Sequence, residues 1–280
     1  MSLNEVNPAI FGPGATVANT NARRIYAPDF ASVQSLTSDD TSSYNAIAFS
    51  AERRFRGDYT VTTSYTFGKA KDYQSNIISH GQSSFTNPFD RSYDYALADF
   101  DRTHRFVGSF LYQLPYLKDS STPLRLVAGG WQLNSIVTLE SGVPFTVITG
   151  ADTSLDGVGA DRPNLIGTPE LDTGRPRGEQ VAKYFNTAAF QTGTPGTYGT
   201  AGRNLLRGPG NATVDFSALK NFDMPGFGED AYLQLRVEAF NLFNRANFGN
   251  PVNNILAATF GRITTAGEPR ILQFGIRYVF

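Results

Sequence analysis

Cysteine is absent from this chain of 280 residues, which removes disulfides, thiolate metal sites and cysteine nucleophiles together. Histidine occurs only at His80 and His104, with no carboxylate cluster at ligand spacing beside either, so a histidine-based metal site is not expected. The same scarcity argues against a Ser-His-Asp arrangement, and no G-x-S-x-G elbow is present. No enzyme and no cofactor are expected. The glycines of "GTYGTAGRN" (196–204) and "RGPG" (207–210) precede no helical pattern, so they read as turns and not as a phosphate cradle.

Charge of one sign is missing as well. With 24 basic and 25 acidic residues the net charge is -1, leaving no field to gather nucleic acid. Long apolar runs are equally absent. No stretch approaches the roughly 18 residues that a transmembrane helix needs, and the mean hydropathy is -0.26. That pattern leaves a transmembrane barrel open, because alternate residues hide its hydrophobicity from window averages. The opening "MSLNEVNPAIFGPG" has neither the basic n-region nor the apolar h-region of a secretion signal.

What is present is 27 Gly, 13 Tyr and 22 Phe, a composition for strands and turns. Seven segments alternate apolar and polar residues over about ten positions, the length of a tilted membrane strand: 44–55, 59–69, 103–114, 130–143, 211–222, 231–243 and 270–280. One face takes residues such as Ile47, Phe49, Val61, Phe106, Trp131, Val137, Phe216, Leu235, Phe274, Ile276, Tyr278 and Phe280; the other takes Glu52, Arg105, Glu140, Asp215, Arg236, Glu238 and Arg277. Tyr59, Tyr112, Trp131, Tyr278 and Phe280 fall near one end of their strands and Tyr65, Phe67 and Phe106 near the other, as interfacial girdles do.

The connections alternate short with long, the long ones being about 70–102, 144–210 and 244–269. An outer-membrane barrel sorts its loops in this way. The expected fold class is therefore all-β, an antiparallel transmembrane β-barrel segment. If long loops face outward, the C-terminus is periplasmic, residues 1–43 belong to an outer loop and residues 44–280 form the barrel portion. Seven is an odd count, so the chain reads as a piece of a larger barrel. Seven open strands would leave two unsatisfied edges in lipid. The competing readings are a soluble β-sandwich binding module, in which the apolar faces would pack on each other, and a passive outer-membrane pore or adhesin.

On a lumen wall, Arg236, Glu238, Arg277 and Asp215 would form charge pairs, with Arg277 and Asp215 on adjacent strands. In "GADTSLDGVGADRPN" (150–164), Asp152, Asp156 and Asp161 sit among glycines; they are loop candidates for a cation, although the spacing is not an EF-hand.

The phrase "LQLRVEAFNLFNRANFGNP" (233–251) resembles the penultimate-strand motif of TonB-dependent outer-membrane receptors, closest to the Oar-like branch. Similar phrases recur in order: "YNAIAFSAERRF" (44–55), "DFDRTHRFVGSFLYQLP" (99–115), "GGWQLNSIVTLESGVPFTV" (129–147), "YFNTAAF" (184–190) and "YGTAGRNLLRGPG" (198–210). The resemblance implies a 22-strand barrel with a periplasmic plug and an N-terminal TonB contact, neither of which this chain carries, so TonB would be reached only through that missing part. It also implies import of a scarce solute, outer-membrane lipid as surroundings, and a barrel-assembly machinery that reads the aromatic pattern of Phe274, Ile276, Tyr278 and Phe280.

Overall fold

The structure, a computed structural model, describes residues 2–27, 29–55, 59–75, 85–115, 117, 121–159, 161–224 and 231–280. Its frame is a single antiparallel sheet of seven long strands: β1 (Ser43–Phe55), β2 (Tyr59–Asp72), β3 (His104–Gln113), β4 (Trp131–Glu140), β5 (Asn211–Asp223), β6 (Tyr232–Phe240) and β7 (Ile271–Val279). Each bonds to the next in chain order, and a two-residue strand, Ala96–Leu97, joins the end of β2. The alternating segments of the sequence thus become the seven strands, with end points differing by at most three residues, as at Val143 against Glu140. Strands of 9 to 14 residues suit a tilted crossing of a bilayer.

The register joins the seven apolar faces into one. Ile47 lies opposite Phe67, Val61 opposite Phe110, Gly108 opposite Val137, Val214 opposite Val137, Ala218 opposite Val237 and Leu235 opposite Ile276. Side chains alternate strictly across a pleated strand, so a slip of one residue anywhere would have set an apolar face against a polar one. None occurs. The face remains uncovered: Phe49 is 65% exposed, Phe274 72% and Ile276 75%. Among the described residues no second sheet packs on it, which removes the sandwich reading, since a sandwich must bury both inner faces.

Short connections gather at one end of the sheet and long ones at the other. Residues 114–130 make the middle short connection, with a helix at Thr122–Ala128; the 56–58 turn lies outside the described residues. β1 and β7 each have one edge without a sheet partner among the described residues, so the sheet does not close on itself.

The protein's own hydrophobic core sits among the long connections and not on the sheet. Phe145, Val147, Phe185, Ala189, Phe190, Ala201 and Leu206 form it. Phe185 is its hub, with ring centroids 5.8 Å from Phe145, 5.7 Å from Phe190 and 5.2 Å from Phe260. Short pairs tie the layer together: Pro144–Phe145 with Leu206–Arg207, and Asn164–Leu165 with Phe190–Gln191. A loop layer surrounded by water needs such a core to offset its chain entropy, whereas a lipid-covered sheet face does not. The described part of the segment ahead of β1 is more than a plain loop, since Ser2–Glu5 pairs with Gln34–Thr37. It docks on the same layer through Ala9 N donating to Asp156 O at 2.7 Å and Arg23 Nη2 donating to Leu155 O at 2.8 Å.

Candidate functional site

Two surfaces are available for function, the two-faced sheet and the loop layer at its long-connection end. On the apolar face the aromatic residues form two rows. At the short-connection end Tyr59 meets Tyr112 at 6.3 Å and Tyr278 meets Phe280 at 5.6 Å. At the other end Tyr65 donates to or accepts from His104 Nδ1 at 2.8 Å, and Phe67 lies 5.1 Å from the same ring. His104 is the first residue of β3 and is engaged by this girdle; His80 lies outside the described residues. The ring of Phe106 lies over Gly108, where a Cβ would meet it at 3.3 Å, so an aromatic covers the gap a glycine leaves in a strand.

Besides Arg53, which lies opposite Val61 near the end of β1, that face carries a second described cation toward the short-connection end, Lys220. It lies opposite Trp131 on one side and Leu235 on the other. Its ammonium donates to Gly129 O and stands 5.6 Å from the Trp131 ring and 5.2 Å from Phe222. Its position three residues before the end of β5 lets the stem cover apolar surface while the charge is held by a carbonyl and two rings.

The polar face carries the charged residues expected of it, but not all the expected pairs. Arg236 and Glu238 pair at 2.6 Å within β6. Arg277 and Asp215 do not meet, because β6 stands between β5 and β7. Arg277 lies opposite Gln234, and Asp215 instead accepts from Asn241 N at 2.8 Å, holding the chain as it leaves β6. The cross-strand pair occurs between Arg105 and Glu140 at 2.8 Å, in register on β3 and β4. Alternation shows the face of each charge, but strand order decides which charges are neighbours.

The aspartate loop closes on itself. Asp152 accepts from Ser154 Oγ at 3.1 Å, Asp156 N at 3.2 Å and Gly157 N at 2.9 Å. Asp156 accepts from Val158 N at 2.8 Å and Tyr198 OH at 3.0 Å. Asp161 accepts from Ser154 N at 2.5 Å, while its Oδ1 has no partner among the described residues. Among the described residues no three His, Asp or Glu side chains are grouped to hold a metal ion; these carboxylates cap backbone amides instead. Burial, which penalises the charged form, lifts Asp156 above the usual carboxylate range and Asp161 to about 6. Burial first, and then the Asp156 carboxylate, raises Tyr198.

Sequence reasoning missed the polar joint of the loop layer. Three arginines of the 141–210 connection reach carboxylates of the 73–103 connection and the end of β2. Arg162, 1% exposed, donates to Asp94 at 2.8 Å and to Tyr93 O at 2.7 Å, and stacks 3.6 Å from the Tyr93 ring. Arg203 bridges Asp72 at 2.8 Å and Asp99 at 2.9 Å. Arg207 pairs with Asp101, which also accepts from Ala70 N at 2.7 Å. The only sequence signal was a set of arginines in turn-rich stretches: 203 and 207 in a run with no other charge, and 162 beside the loop aspartates. A fourth arginine, Arg24, pairs with Glu5 at 3.6 Å, both side chains buried, and holds the segment ahead of β1.

No curated protein and no solved structure matches the chain. A family model for an outer membrane beta barrel domain matches residues 1–273, a span that takes in the loop layer and the sheet as far as the start of β7. A one-faced apolar meander of membrane-length strands, two aromatic rows and sorted connections are what such a domain requires, and the chain belongs to the outer membrane beta barrel domain family.

Proposed function

We propose that this outer-membrane chain is the barrel portion of an Oar-like TonB-dependent receptor that imports a scarce solute once a plug and TonB-contacting part are supplied. One observation carries the reading: among the described residues, seven contiguous strands with an uncovered apolar face end in a folded, ion-paired loop layer but leave both sheet edges open. Open edges in lipid cost several kcal/mol per backbone group, so further strands must close the wall. A barrel larger than seven strands, capped by a loop layer with its own core, suits gated uptake of a solute. The ordered phrases from 44 to 251 support the receptor family. In this reading the apolar face meets lipid and Arg236, Glu238, Arg277 and Asp215 line the lumen. The loop layer is outside, and the C-terminus is in the periplasm.

Cells with and without the intact gene are compared by mass spectrometry of spent medium. A solute consumed only with the gene, and no longer consumed after a protonophore, supports energised import. Consumption that survives the protonophore would point to a passive pore. The membrane orientation has its own probe, because Trp131 is the sole tryptophan and stands on the apolar face. Brominated acyl chains should quench its fluorescence, and an unquenched Trp131 would sink the lipid-facing assignment.

A further inference from the structure

The apolar face does not end at its aromatic row. Two strand positions beyond Phe67, the same side of β2 presents Lys69 and then Lys71, opposite Asn45 and Ser43 of β1. Both lysines are exposed, while Ala70 and Asp72 between and beyond them are buried on the other side. Tyr95 closes the top, with its ring 5.9 Å from the Lys71 ammonium and its hydroxyl 3.3 Å from Ser43 Oγ. Together Ser43, Asn45, Phe67, Lys69, Lys71 and Tyr95 line a cleft of about 430 Å³.

The lining holds two ammonium groups, two hydroxyls and an amide, with no carboxylate. The nearby carboxylates are committed elsewhere: Asp72 to Arg203, and Asp39 and Asp40 to Arg91. Position then fixes what fills the cleft. A side chain on the membrane-facing side just past the aromatic girdle lies neither in hydrocarbon nor in bulk water but at headgroup depth. Ammonium groups there meet phosphate, and each basic residue near an anionic membrane surface adds to the attraction.

We infer that Lys69 and Lys71, with Ser43, Asn45 and Tyr95, form a binding site on the outside of the wall for the anionic phosphate headgroup of a membrane lipid. The inference rests on the lipid-facing assignment of the apolar face. Phe67 packs on the first acyl carbons, the two ammoniums grip the phosphate, and Ser43 and Asn45 bond to its oxygens or to the headgroup's hydroxyls.

The test uses the full-length protein in phosphatidylcholine vesicles doped with phosphatidic acid, extracted in mild detergent and weighed by native mass spectrometry. The wild type should retain phosphatidic acid in preference to phosphatidylcholine. Lys69→Gln with Lys71→Gln should lower that retention on the order of tenfold, and Lys69→Arg with Lys71→Arg should keep it. Equal retention by the glutamine variant would overturn the site, and so would displacement of the lipid by inorganic phosphate alone. Should the glutamine variant fail to assemble, acetylation of Lys69 and Lys71 in the wild type decides. Their amines should react more slowly in phosphatidic acid vesicles than in pure phosphatidylcholine, and equal rates would refute the site. Trp131 quenching in the same vesicles separates the two failures: an unquenched Trp131 removes the membrane-facing reading, whereas a quenched one with no lipid preference removes this site alone.

Discussion

Single residues of the loop layer carry charges that protein interiors usually avoid, and each makes a measurable demand. Asp161 has no exposed surface, and burial raises it to about 6. An acid that holds its proton longer in the native loop than in the unfolded chain stabilises the loop fully below about pH 4. That stability, on the order of 3 kcal/mol, is lost as the pH climbs toward 6. Protection from hydrogen exchange over residues 149–165, taken relative to the intrinsic rate at each pH, should therefore fall between pH 4 and 7, and Asp161→Asn should flatten that dependence; an identical profile in the variant would refute the assignment. Arg162 makes the opposite demand, since its guanidinium is the ion partner of the buried Asp94. Arg162→Met leaves a buried carboxylate uncompensated, at a cost of about 3 to 5 kcal/mol. Limited proteolysis of the 141–210 connection should accelerate while the far-ultraviolet circular dichroism of the sheet holds steady. An unchanged cleavage rate would count against the pair.

The strands are the part of this molecule most legible in its sequence, because a two-residue period is local and seven copies of it cannot hide. Each strand's inward and outward residues, including the aromatic rows from Tyr59 to Tyr278, could be assigned before any pairing was known. Pairing itself was less legible: Asp215 and Arg277 share a face, yet only strand order shows that β6 lies between them. The last strand carries its own prediction. Phe274, Ile276, Tyr278 and Phe280 alternate along β7 and past its end, and Phe280 is almost fully exposed, so it contributes little packing within the sheet. If the pattern is read by the barrel-assembly machinery, removing Phe280 from the full-length protein lowers its outer-membrane level severalfold without changing its transcript, as quantified by immunoblot of membrane fractions. An unchanged level would dismiss the signal.

For the whole molecule, the open sheet sets behaviour that no single strand shows. Among the described residues β1 and β7 each present an unpaired edge, and the apolar face between them has no protein cover. The 280-residue chain on its own should need detergent to stay dispersed, and gel filtration without detergent should return aggregate; a stable monomer there would contradict the membrane assignment. The loop layer was the least legible level, for a physical reason. Its contacts join residues such as Asp72 and Arg203, 131 positions apart, and Phe185 with Phe260, and neither period nor spacing encodes such meetings. Turn glycines in 196–199 could be read as turns, and they do take positive φ at Gly196 and Gly199, but nothing local marked Arg203 as a bridge between two aspartates. That same separation has a kinetic consequence. The strands can zip hairpin by hairpin at low loop-closure cost, whereas the arginine joint requires the chain from β2 to β5 to be in place before it gains anything. The joint should therefore be unformed in the rate-limiting step of assembly, so that weakening it hastens unfolding and leaves the rate of insertion untouched.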